Sequence, residues 1–185
     1  MKGVASVASV SVGFEMKLID GVPFWSDDNE YPPLDSDDLL IVEKVLGRKL
    51  PGAYVDLLRE HNGGESNRFV STRTDPESIR AEGFPVSSIW GVYPTDDLNA
   101  GGGEVFGLLN MPYMHREWGI DTGILFFAGV VGGALYFDYR GGPNPTIGWY
   151  VVDSMEVVVA KDFETWLREI KHESWEDWWE RDDHS

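Results

Sequence analysis

Cysteine is absent from the 185 residues, which excludes disulfides, thiolate metal ligands and a cysteine nucleophile, and is compatible with a reducing cytosol, where we expect the chain. No apolar run approaches the roughly 18 residues that a membrane span requires. Bases are scarce: 15 Lys and Arg stand against 32 Asp and Glu, a formal charge of −17. That balance repels nucleic-acid phosphates and anionic lipid head groups, so a basic protein partner fits better than either. The aromatic residues, 13% of the chain, lie among acids and not bases, which is the wrong sign for a single-stranded nucleic-acid groove.

Several catalytic patterns are also missing. The four histidines, at 61, 115, 172 and 184, have no zinc-ligand spacing, and no Gly-x-Ser-x-Gly elbow occurs. Gly101-Gly102-Gly103-Glu104 is not followed by Gly-Lys-Ser/Thr, so it is no phosphate-binding loop. Acid pairs at Asp27-Asp28, Asp37-Asp38, Asp96-Asp97 and Asp182-Asp183 lack the calcium-loop pattern, and in so acidic a chain they read first as solvated surface. We therefore expect no cofactor, no metal and no enzymatic activity. An enzyme working through loop carboxylates such as Asp96 or Asp138 is the alternative.

What is present starts with Leu39 to Gly64, LLIVEKVLGRKLPGAYVDLLREHNGG, which writes two short helices and their ends. Ser36 is the expected N-cap, with Asp37 and Asp38 in the first turn, where carboxylates suit the helix dipole. Leu39, Val42 and Leu46 form an apolar stripe that Ile41 and Val45 would widen, and Gly47 is placed to take a left-handed C-terminal conformation. Leu50-Pro51 opens the second helix, with Tyr54, Leu57, Leu58 and His61 on one face, and Asn62-Gly63-Gly64 stops it.

Before this stretch, residues 1–22 read as an N-terminal extension, with Met16 a second possible start, and Asp20 to Asp35 as a surface loop. Phe24 and Trp25 interrupt that loop, and Trp25 should pack over the first helix. After it, Thr74-Asp75-Pro76-Glu77 has capping-box spacing, which predicts a helical turn or two from Pro76 to Glu82. Ser88 to Tyr93 reads as a strand. Thr95 to Trp118 gives no clear pattern, and its length makes it a place to look for function. Ile124–Ala128 and Ala134–Tyr139 form an expected antiparallel hairpin with both faces covered. Trp149–Val152 and Glu156–Val159 supply two more strands. Asp162 caps a closing helix with Phe163, Trp166, Leu167 and Ile170 buried.

The order of Glu43, Leu46-Gly47, Leu50-Pro51, Tyr54, Leu57-Leu58 and Asn62-Gly63-Gly64 resembles the signature of the SUKH superfamily. Gly119-Ile120, Gly132-Gly133 with Tyr136-Phe137-Asp138, and Ala160-x-x-Phe163-x-x-Trp166-Leu167 follow in the family's order. Pattern and resemblance together imply one α+β domain over residues 23–171. Two N-terminal helices and a C-terminal helix would pack on a mostly antiparallel sheet of five or six strands. The resemblance implies non-catalytic protein binding, as in bacterial immunity proteins that neutralise toxins, or regulation of endogenous partners, as in a fungal regulator of cell-wall synthesis.

Residues 172–185 form an acidic tail with Trp175, Trp178 and Trp179. These rings either dock back on the domain or offer an acidic, aromatic surface to a basic toxin. The candidate partner contacts are Asp96, Asp97, Trp118, Asp138, Tyr139, Trp175 and Trp178.

Overall fold

Asp35, one residue earlier than expected, starts the first helix in the computed structural model, which describes residues 18–26, 32–71, 84–92, 107–130, 133–151 and 154–172. Its carboxylate accepts the backbone N–H groups of Asp37 and Asp38, both at 2.8 Å, so Ser36 becomes the first residue of α1 (Ser36–Leu46) and not its cap. Asp and Ser cap about equally well, and the spacing to the first free N–H groups decides between them. Gly47 ends α1 in the left-handed region, at φ 67°, as its position predicts.

The apolar stripe of α1 is narrower than expected. Val42 is buried and Leu39 and Leu46 pack partly against the core, but Ile41 and Val45 stay 53% and 48% exposed. Ile41 precedes Val42 by one residue, a turn of about 100° around the helix axis, which carries it off the buried face. Glu43 works within this junction: its carboxylate accepts the Leu50 N–H at 3.1 Å and the Lys49 ammonium at 2.5 Å. That fixes the link into α2 (Gly52–Glu60), which buries Tyr54, Val55, Leu57 and Leu58. His61 has left the helix with extended backbone, and its Nδ1 lies 2.9 Å from the Gly63 carbonyl.

The main sheet has six principal strands, and a two-residue strand extends one edge. In chain order these are β3 (Gly64–Ser71), β4 (Phe84–Ile89), β5 (Ile124–Val130), β6 (Gly133–Asp138), β7 (Thr146–Val151), β8 (Ser154–Ala160) and the short β9 (Lys171–His172). Their spatial order is β8-β7-β6-β5-β4-β3-β9, and every pair is antiparallel. The hairpin of β5 and β6 is the expected one, with Leu125 opposite Phe137. β4 begins and ends four residues earlier than the pattern Ser88 to Tyr93 predicts. Trp90 still donates its N–H to Phe127, but the Gly91 carbonyl turns away to accept from Leu108, and the chain leaves the sheet there.

Two elements arise where none was expected. A second, two-stranded sheet, β1 (Leu18–Ile19) with β2 (Val22–Pro23), spans the end of the expected N-terminal extension and the start of the expected Asp20–Asp35 loop. Its turn is Asp20-Gly21, both with positive φ, the pairing that favours a tight hairpin. Within the unpatterned stretch, a 3-10 turn (Leu108–Asn110) leads into α3 (Met111–Glu117). Phe24 and Trp25 are buried as expected; Trp25 meets Phe24 and His61 at the end of α2 and bridges to Ser66 in β3. The expected turns at residues 76–82, the N-terminal extension up to residue 17 and the tail from residue 173 lie outside the described residues.

The closing helix α4 (Phe163–Glu169) begins where predicted: the Asp162 carboxylate accepts the Thr165 N–H at 2.7 Å. α2 and α4 lie on one face of the sheet, and the core between them is built of rings. Phe127 and Phe137 stack at 4.3 Å between centroids. Tyr54 packs edge-on against both and against Phe163, while its hydroxyl donates to the Trp90 carbonyl.

Candidate functional site

Side chains alternate across a strand, so the residues between those of the core line the opposite face of the sheet. On that face Phe126 touches Trp90 at 5.7 Å, Tyr150 at 5.5 Å and Tyr136 at 6.3 Å between centroids. Tyr136 lies flat across its neighbour Gly148, where a Cβ would come within 2.1 Å of the ring. Only glycine leaves that space, and the ring covers the bare backbone.

A cleft of about 690 Å³ opens over this aromatic floor, lined by Trp90, Phe126, Tyr150 and Ala134 together with Trp118 and Ile120 from the segment after α3. Trp118 caps the C-terminus of α3 through its N–H to the Met114 carbonyl, 2.9 Å, and its side chain is 57% exposed. This ring extends the apolar surface of the cleft into solvent. Ser87 and Ser88 add hydroxyls to the rim, and that of Ser87 donates to the Gly129 carbonyl at 3.0 Å.

The other expected contacts divide sharply. Tyr139 points to the helical side: it is buried, its hydroxyl donates to the Lys49 carbonyl at 2.8 Å, and the Arg48 guanidinium lies 4.9 Å over its ring. Burial pushes its hydroxyl pKa well above the ordinary tyrosine value. Tyr139 thus ties β6 to the link between α1 and α2, and offers a partner no open ring. Asp138 is held by Arg140, which donates through Nε at 3.0 Å, Nη2 at 2.8 Å and its backbone N–H at 2.9 Å. The side-chain hydrogen bonds from Arg140 lower the Asp138 pKa below its usual value. Its charge is already matched. Asp96, Asp97, Trp175 and Trp178 lie outside the described residues; of the three expected contacts that are described, Trp118 alone lines the cleft.

Trp90, Phe126 and Tyr150 were not singled out from sequence as contacts. The signal for this face was one aromatic in each strand, Phe126 in β5, Tyr136 in β6 and Tyr150 in β7, blurred because Phe127, Phe137 and Trp149 stand directly beside them in the sequence. His115, a polar residue near the site, serves the fold: its Nε2 sits 2.8 Å from the Ile124 carbonyl. A carbonyl only accepts, so that nitrogen carries the proton. Among the described residues no three His, Asp or Glu side chains gather as metal ligands do, and no helix is long and apolar enough to cross a membrane.

The acidity is unevenly placed along the chain. Seventeen of the 32 acids but five of the 15 bases fall outside the described residues, so 12 of the 17 net negative charges belong to those segments.

Comparison with curated proteins gives no significant match. Residues 33–169 match the model of the SMI1 / KNR4 family, SUKH-1, a span that holds both helices of the N-terminal pair, the six principal strands, the aromatic cleft and α4. The chain belongs to the SMI1 / KNR4 family.

Proposed function

We propose that the domain is a non-catalytic protein-binding module, acting as an immunity protein that neutralises a basic toxin. The observation that carries this reading is the ring-lined cleft with Trp118 exposed at its edge. Aromatic anchors in a desolvated cleft supply most of the energy in protein interfaces and slow dissociation. The charge of −17 supports a basic partner, because complementary charge speeds encounter and rejects acidic competitors. Family membership supports binding in general and bears equally on a regulatory role toward endogenous proteins. A toxin reading frame beside this one favours the first role.

The test is capture from the native host at low and moderate salt, followed by kinetics with the captured protein. The association rate falls as salt rises, and Trp118→Ala weakens binding by about 2 kcal/mol, mainly through faster dissociation. An association rate indifferent to ionic strength removes the steering mechanism, and an unchanged affinity in Trp118→Ala removes the cleft as the site.

A further inference from the structure

A groove of about 730 Å³ runs between the β1–β2 turn, α2 and α4. It shares no lining residue with the aromatic cleft. Its floor is aliphatic, made by Ile19, Leu57, Leu167 and Ile170, all core residues seen from outside. At its lip Leu18 stands 55% exposed. Apolar surface presented this way along three elements marks a place where a further chain can lie.

The groove's charges decide what that chain carries. Among the described residues, Asp20 comes from the hairpin turn, Asp56 and Glu60 from α2, and Glu164 from α4, against the guanidinium of Arg168 in the lining and that of Arg59 beside Asp56. These carboxylates come from all three walls, so an occupant meets negative charge on every side. A purely apolar segment would strip water from them without replacement, which is costly. An acidic segment, or a second copy of a chain with net charge −17, would be repelled. Asp56 is engaged by Arg59 at 3.2 Å on the exposed surface; such pairs are weak and exchange partners readily. Arg168 reaches back to the Thr165 hydroxyl at 3.3 Å, along its own helix.

We propose that this groove docks a basic amphipathic segment of a protein partner, with its aliphatic side chains on the floor and its Lys or Arg side chains against the carboxylates. The inference rests on the protein-binding reading above and adds a second surface to it, on the helical side of the sheet.

The test uses the full chain with labelled methyl groups and, as probe, a helical peptide of leucine and lysine with its leucines on one face. The methyl signals of Leu18, Ile19, Leu57 and Leu167 shift on addition of the probe, while those of Ile120, Val130 and Ala134 in the aromatic cleft do not. The same peptide with glutamate for lysine produces no shift. Reversing two exposed charges, Asp56→Lys with Glu164→Lys, weakens probe binding roughly tenfold, mostly in association rate. Ala53→Trp, which fills the groove from α2, abolishes it.

Shifts confined to the aromatic cleft, or scattered over the surface, overturn the groove while leaving the proposed function standing. Contacts from these methyls to residues 1–17 of the same chain, or shifts that grow with protein concentration without probe, assign the groove to the chain itself and also overturn the proposal. Failure of the captured partner to sense Trp118→Ala, with the groove shifts intact, tells instead against the cleft.

Discussion

Asn62 shows how one side chain can join distant parts of the chain. It is buried, and its amide donates to the Val92 carbonyl at 2.7 Å and accepts the Val92 N–H at 2.8 Å, reproducing a strand pair where the sheet has ended. Its own carbonyl packs so close to Gly91 that a Cβ there would lie 2.0 Å away. Asn62→Ala leaves both Val92 backbone groups without this partner in a buried place, and we expect a loss of about 2–4 kcal/mol. Urea unfolding measures it, and a loss below about 1 kcal/mol would mean that water takes over both bonds. In the sequence Asn62 was legible only as part of a helix stop. Its task across 30 residues depends on where the chain returns, which no local pattern encodes. The same holds for Tyr139, whose exposure was misjudged because its partner, the Lys49 carbonyl, is 90 residues away.

At the scale of elements, local chemistry was the better guide wherever a cap or a period was strong. Gly47, Pro51 and Asp162 mark helix ends as expected, and the β5–β6 hairpin follows its glycines and β-formers. The cap of α1 separates two neighbours experimentally: Asp35→Ala should lower stability by about 1 kcal/mol, whereas Ser36→Ala, inside the helix, should be near neutral or slightly stabilising. Thermal melts of the two variants distinguish them, and the reverse ranking would return the cap to Ser36. What went unread has physical causes too. α3 has seven residues, no capping side chain on Asn110 and two buried methionines one turn apart, too short for periodicity to register. The β1–β2 hairpin is two residues a side, so its Asp-Gly turn had no alternating flanks to announce it. β4 slid because its last expected residues are claimed by Asn62 and Leu108 rather than by a neighbouring strand.

For the whole molecule, charge sets the response to pH. The Asp138 and Asp162 pKa values are both lowered in the fold, by Arg140 and by the Thr165 hydrogen bonds respectively. A lowered folded value means that the unfolded chain binds protons first as pH drops. The stabilisation from both groups is therefore complete above the ordinary Asp value of 3.8. It is lost progressively as pH falls below that value and through the folded ones. Asp138→Asn should lower stability near neutrality by less than about 1 kcal/mol, since its partner is partly in water, and should flatten the acid limb. Urea midpoints measured from about pH 6 down to about pH 3 test this; an acid limb as steep in the variant as in the parent would show that Asp138 has no part in it. That α2 and α4 share one face of an antiparallel sheet was legible from element order and family resemblance together. The aromatic cleft was not, because it exists only once three strands lie side by side.

Asp20, in the turn of the first hairpin, accepts the backbone N–H of His172 in the last strand at 3.3 Å. The beginning and end of the described unit are thus near neighbours, and a short linker could join them into a ring without crossing any strand. Reopened at the exposed Gly141 between β6 and β7, such a circular permutant would keep the same sheet order while starting from β7, beside the β8 edge. In such a molecule the Asp20–His172 contact, which now spans 152 residues of chain, would become a local event.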